Sequence, residues 1–108
     1  MIVLTYKRGF AEYKVKGGKL IQCDVSMEGN VIKAVRYTGD FFMYPEDAIE
    51  MLERDITHIN ITEARNRINK FFEDNKIELF GVAVEDFIRV LDMAVENAMR
   101  ANSASNER

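Results

Sequence analysis

The hydrophobic residues of this chain change period near residue 45, and that change constrains the fold more than any other feature. Before it, apolar and polar residues alternate. Ala11, Tyr13 and Val15 are interleaved with Glu12 and Lys14, and Ile21, Cys23 and Val25 with Gln22 and Asp24. A period of two puts each apolar set on one face of a strand. Gly17-Gly18 tolerates the positive φ of a tight hairpin, and Glu28-Gly29-Asn30 is a second turn signal. Residues 31–38 form a third β-rich run that ends at Gly39. Two short connections between three runs predict an antiparallel meander. Met1–Tyr6 has strand-like composition and reads as either a fourth strand or an arm.

Beyond residue 45 the period becomes helical. Pro45 suits a first helical position, and Glu46 and Asp47 suit the positive end of a helix dipole. Ala48, Ile49, Leu52 and Ile56 then share one face. Thr62 is a reasonable N-cap for a second helix whose apolar face is Ala64, Ile68, Phe71 and Phe72, with Asn75 as its stop. Lys76–Gly81 reads as a linker packed inward through Ile77, Leu79 and Phe80. Val84, Phe87, Ile88, Leu91, Val95, Ala98 and Met99 make a clean stripe for a third helix. Strands followed by helices predict an α+β fold, a three- to four-stranded antiparallel sheet with three helices packed on it. One domain is expected over 1–101, with strands over about 10–38 and helices over about 45–99, and a disordered polar tail over 102–108.

Composition narrows the function classes. The chain has 108 residues, enough for one core. Its net charge of −3 argues against a general nucleic-acid or anionic-membrane binder. The charge is uneven, with 7 basic and 4 acidic residues through residue 45 and 8 basic and 14 acidic beyond it. A basic front half leaves room for one anionic ligand or an acidic partner surface. The single cysteine excludes an internal disulfide and fits a reducing compartment. No apolar run reaches the ~20 residues of a membrane span, and Met1–Tyr6 is too short for a signal segment, so a cytoplasmic location is expected.

Few residues carry visible chemistry. Cys23 would need an exposed, low-pKa thiol to act as a nucleophile or sulfur carrier, yet it alternates in phase with Ile21 and Val25. His58 is the only histidine, in Thr57-His58-Ile59-Asn60, with no cysteine near it in sequence; a solvated loop residue is expected rather than a metal ligand. Lys14, Lys16 and Lys19 surround Gly17-Gly18, an arrangement that either cradles a phosphate or is a plain hairpin turn. Gly39-Asp40-Phe41-Phe42-Met43-Tyr44-Pro45 crowds three aromatics and a methionine into a strand-to-helix corner. Those residues either close the core or form a docking edge. Glu46, Asp47, Glu50 and Glu53 form an acidic band expected to be a solvated face.

Taken together, Tyr13-Lys14-Val15-Lys16-Gly17-Gly18-Lys19-Leu20-Ile21, Ile32 to Tyr37, and Gly39-Asp40-Phe41-Phe42 with Pro45-Glu46 resemble the C-terminal accessory domain of lipoate–protein ligases. Within that family the nearest likeness is to the stand-alone small subunit of two-component archaeal ligases. Phe80-Gly81-Val82 and Glu85-Asp86-Phe87 resemble the family's entry to its last helix, so the likeness covers about residues 10–98.

The resemblance implies a small sheet with helices packed on it, related to iron–sulfur scaffold and sulfur-acceptor proteins. It implies a non-catalytic accessory subunit, inactive alone. That subunit would act with a large catalytic subunit in ATP-dependent activation of lipoate to lipoyl-AMP. The lipoyl group then passes to a lysine of an acceptor domain. ATP, magnesium and lipoate would act in the complex, with no cofactor or metal held by this chain alone and no catalytic residue on it. Asp40, Phe41, Phe42 and Met43 are the candidate partner interface, and Lys14, Lys16, Gly17, Gly18 and Lys19 the candidate nucleotide or partner contacts. The alternatives are a sulfur-acceptor protein using Cys23 and a generic protein-interaction module.

Overall fold

A computed structural model describes residues 6–105, with side chains through Arg100. Strands β1 (Lys7–Lys14), β2 (Leu20–Glu28) and β3 (Val31–Gly39) form an antiparallel sheet in the order β1-β2-β3, the expected meander. The proposed strand or arm at Met1–Tyr6 lies outside the described residues except for Tyr6, which is exposed. Three cross-strand rows face the core: Gly9–Val25–Val35, Ala11–Cys23–Tyr37 and Tyr13–Ile21–Gly39.

A bulge makes the third strand fit. Ser26 pairs with Ala34 but Met27 pairs with Ile32, so Lys33 has no partner across the strand. The extra residue inverts the alternation, letting Ile32 and then Val35 and Tyr37 point to the same side. The outer edge of β3 is covered rather than left open. Ile32 N–H donates to the Ile59 carbonyl (2.9 Å), His58 N–H to the Ile32 carbonyl (2.6 Å), and Tyr37 N–H to the Glu53 carboxylate (2.7 Å).

Helices α1 (Ala48–Asp55), α2 (Ala64–Asp74) and α3 (Val84–Ser105) follow. Helix α3 lies across β1 and β2, while α2 packs on α3 and α1, and α1 rests on β3. Only part of the helical layer therefore touches the sheet directly. Helix α1 starts three residues later than Pro45; the Pro45 carbonyl instead accepts Ala48 N–H in the turn before the helix (3.0 Å). The N-cap is Asn60 rather than Thr62. Its side chain accepts Thr62 N–H (2.9 Å) and opens a short 3-10 turn, Ile61–Glu63, that leads into α2. Asn75 stops α2 as expected, its side chain donating to the Phe71 carbonyl (2.8 Å). Helix α3 continues through Ser105, so it includes the first residues of the polar segment that begins at Asn102. Its buried face is wider than the expected stripe, adding Val90 and Ala94, because the sheet and α2 both pack on it.

One contact sets how closely α3 can approach. A Cβ placed on Gly9 would overlap the Ala94 carbonyl and the Ala98 amide, and would sit 2.8 Å from the Ala98 Cα. All three are backbone atoms, so no rotamer change makes room. Along β1 the inward residues grow from Gly9 to Ala11 to Tyr13, which tapers the gap toward the helix start. At the wide end Phe87 sits fully buried, with Tyr37 edge-on at 5.0 Å, Phe41 edge-on at 5.4 Å and Phe72 tilted at 5.7 Å. The buried Tyr37 hydroxyl donates to the Phe87 carbonyl (2.9 Å), so burying it leaves no polar group unmatched.

A second, two-stranded sheet joins β4 (Phe42–Tyr44) to β5 (Glu78–Phe80). The sequence reading assigns these segments to a corner and a linker. Each strand has three residues, too few to display alternation, and the partners are far apart in sequence.

Four substitutions probe this architecture. Gly9→Ala should destabilise the chain by about 2 kcal/mol or more in urea unfolding. Gly29→Asn, at an open position with φ +59°, should cost well under ~1 kcal/mol. Tyr37→Phe should cost about 1 kcal/mol, the value of one buried hydrogen bond. Tyr37→Ala should cost about 3 kcal/mol or more, because it also empties the space beside Phe87.

Candidate functional site

The segments singled out in the sequence meet at one end of the molecule. The β1–β2 hairpin closes through Val15 N–H to the Lys19 carbonyl (2.7 Å) and Gly18 N–H to the Val15 carbonyl (2.9 Å). Gly17 and Gly18 take φ values of +103° and +94°, which side chains disfavour. Lys14, Lys16 and Lys19 are exposed around this turn.

Gly39 and Asp40 clamp the hairpin from the other side. A Cβ on Gly39 would run into the Leu20 carbonyl and lie 3.1 Å from the Ile21 Cα. The backbones therefore touch, and Asp40 extends the ladder: its N–H donates to the Leu20 carbonyl (3.1 Å) and its carboxylate accepts Leu20 N–H (2.6 Å). The third segment joins through Gly81. A Cβ there would lie 3.0 Å from the Lys19 Cγ, so the lysine stem runs over Gly81. Next to it, Asp86 accepts Ala83 N–H (2.7 Å) and caps the start of α3.

The corner Phe41–Tyr44 divides residue by residue. Phe41 is half-buried against Phe87, and Met43 is buried. Phe42 is 71% exposed and Tyr44 66% exposed. Strand geometry does this, sending alternate side chains to opposite faces. Across the ribbon Phe42 pairs with Phe80, Met43 with Leu79 and Tyr44 with Glu78. Leu79 packs inward and Phe80 is 53% exposed, so the expected inward packing of Lys76–Gly81 holds for Ile77 and Leu79 but not for Phe80. Of the candidate interface residues, then, Phe42 stands out from the surface, Phe41 and Met43 serve the core, and Asp40 holds a backbone amide. Tyr44 and Phe80 are added to the exposed set. Nothing local in the sequence marks them, since their exposure follows from the non-local pairing of β4 with β5.

The remaining candidates are placed elsewhere. Cys23 is fully buried between Ala11 and Tyr37. Burial pushes its thiol far above the ordinary range, with the charges of Asp24 and Glu53 adding to the effect. A carrier thiol needs the opposite environment. His58 is exposed in a loop at φ +68°. Among the described residues, no group of three or more His, Cys, Asp and Glu side chains converges as a metal site requires. The acidic band of Glu46, Asp47, Glu50 and Glu53 runs from the turn before α1 into the helix and is not all solvated. Glu53 is half-buried, and burial raises its carboxyl above the usual range, opposed by the Tyr37 N–H hydrogen bond and the Arg36 charge. Among the described residues no helix is long and apolar enough to cross a membrane.

No family model matches the chain. A curated relative, lipoate-protein ligase A subunit 2 of Thermoplasma acidophilum, is 39% identical over 79 residues, covering 73% of this chain and 82% of the relative. A solved structure from a study of an archaeal lipoylation system, a bi-partite lipoate protein ligase and its E2 lipoyl domain from the same organism, superposes with a TM-score of 0.74 at 33% identity. It covers 81% of this chain and 97% of that one. The identity and the coverage of both chains place the protein in a family: it belongs to that of lipoate–protein ligase A subunit 2, an accessory subunit of the ligase.

Proposed function

We propose that this chain is the non-catalytic half of a two-subunit lipoate–protein ligase, required with a large catalytic subunit for ATP-dependent activation of lipoate. In the first step the lipoate carboxylate attacks the α-phosphorus of ATP, forming lipoyl-AMP and releasing pyrophosphate. In the second, a lysine amine of an acceptor domain attacks the lipoyl carbonyl and AMP leaves. Acceptors of this class are the lipoyl domains of 2-oxoacid dehydrogenases and the glycine-cleavage H protein. The setting is cytoplasmic, where ATP and these acceptors occur.

The observation that carries the reading, beyond family membership, is the paired Phe42 and Phe80 left exposed at the end where the motif segments meet. A subunit that works through a partner needs an apolar face of this kind. Within the complex, ATP and lipoate bind on the partner. Docking of this chain closes and orders the partner's site, excluding water from a reactive mixed anhydride. Lys14, Lys16 and Lys19, presented by Gly17 and Gly18, supply positive charge to the partner or to the nucleotide phosphates.

The direct test is lipoyl-AMP formation from lipoate and ATP by the large subunit, with and without this chain. Product should appear only in the mixture. A large subunit fully active alone, or one silent in the mixture, would overturn the proposal. A thiol reagent separates the sulfur-acceptor alternative. Cys23 should react only at the rate of unfolding and become fully labelled in denaturant. Rapid labelling of the native chain would favour a carrier role instead.

A further inference from the structure

The exposed rings of the β4–β5 ribbon sit between two patches of opposite charge. At the Phe42–Phe80 end, Gly81 follows Phe80 directly and carries the Lys19 stem, with Lys16 in the same turn. Neither lysine forms an ion pair among the described residues. The nearby carboxylates of Asp40 and Asp86 are committed to the Leu20 and Ala83 amides. At the opposite end Tyr44 lies across from Glu78 and leads through Pro45 into Glu46 and Asp47. Those three carboxylates form no ion pair among the described residues either.

Area decides what can cover this face. The three rings, 71%, 66% and 53% exposed, present on the order of 400 Å² together, taking ~200 Å² for a fully presented aromatic side chain. Two copies face to face through the rings alone would bury ~800 Å², the size of a lattice contact rather than the ~1,200–2,000 Å² of a stable pair. The occupant must therefore extend past the rings onto both charged flanks.

We propose that this polarised face is the docking surface for the large subunit. The complementary surface has an apolar pocket for Phe42 and Phe80, acidic groups opposite Lys16 and Lys19, and basic groups opposite Glu46 and Glu78. This rests on the accessory-subunit reading and adds to it a location, a partner chemistry and an orientation. The rings supply the desolvated centre and the flanks fix which way round the two chains meet.

The test is titration calorimetry of the large subunit with the wild-type chain and three variants, each first checked for an unchanged thermal melt. Phe42→Ser with Phe80→Ser should weaken binding at least tenfold. Lys16→Glu with Lys19→Glu should weaken it at least tenfold at low salt, with a smaller difference at high salt. Lys70→Ala, on the exposed side of α2, should bind as wild type. Both losses are required. Wild-type affinity in the aromatic variant, in a mixture that still makes lipoyl-AMP, would overturn the docking surface and leave the functional reading intact. Wild-type affinity in the lysine variant would overturn its polarity. Absence of both binding and activation with the wild-type chain would overturn the functional reading itself. Sedimentation of the isolated chain should show a monomer. A dimer that the aromatic variant dissolves would assign the face to a second copy and overturn the proposal.

Discussion

Helix α3 can rest on β1 because Gly9 has no side chain. The contact is backbone against backbone, with Ala94 and Ala98 on the helix side. The rest of the architecture is tied to that distance. The inward side chains of β1 grow from Gly9 through Ala11 to Tyr13, and Phe87, in the first turn of α3, is fully buried. Tyr37 reaches the Phe87 carbonyl from β3, and Phe41 packs edge-on against the same ring. Once Phe41 is held inward, strand alternation leaves Phe42 outward. A glycine in the first strand and an exposed phenylalanine at the far end are thus linked through one helix.

The described interior is apolar. Its buried side chains are aliphatic, aromatic or sulfur-bearing, and the Tyr37 hydroxyl is satisfied by a helix carbonyl. Cys23 belongs to that interior. The distinctive chemistry of the chain lies instead on its surface, as aromatic rings with unpaired charges on either side. Under the proposed function, such a surface would be what an accessory subunit brings to its partner.

The meander, the third helix and most of the core were legible in the sequence, because long segments repeat their period several times. Alternation around Cys23 and the stripe from Val84 to Met99 are of this kind. Helix starts were harder to place. Pro45 and Thr62 are both good N-terminal residues, yet the chain used Pro45 in a preceding turn and Asn60 as the cap. The β4–β5 ribbon could not be read at all, since three residues cannot display a period and the pairing is non-local. For the same reason the exposure of the individual side chains in the candidate interface could not be read from the sequence. Composition located the aromatic corner, but only strand pairing sorts Phe42, Tyr44 and Phe80 from Phe41 and Met43. Gly9 carried no local signal, because its role depends on a helix contributed by the other end of the chain.

The ribbon also has a consequence for the order of assembly. Its two strands precede different helices, β4 leading into α1 and β5 into α3, and the chain between them contains α1 and α2. Closing that loop carries an entropic cost that neighbouring hairpins avoid, so the meander can form from local contacts while the ribbon waits for the helices. The paired face of Phe42 and Phe80 is consequently among the last features to take shape during folding. Under the docking proposed above, a chain that is still incomplete would lack the surface by which it is recognised, and the partner would select finished molecules without any separate checkpoint.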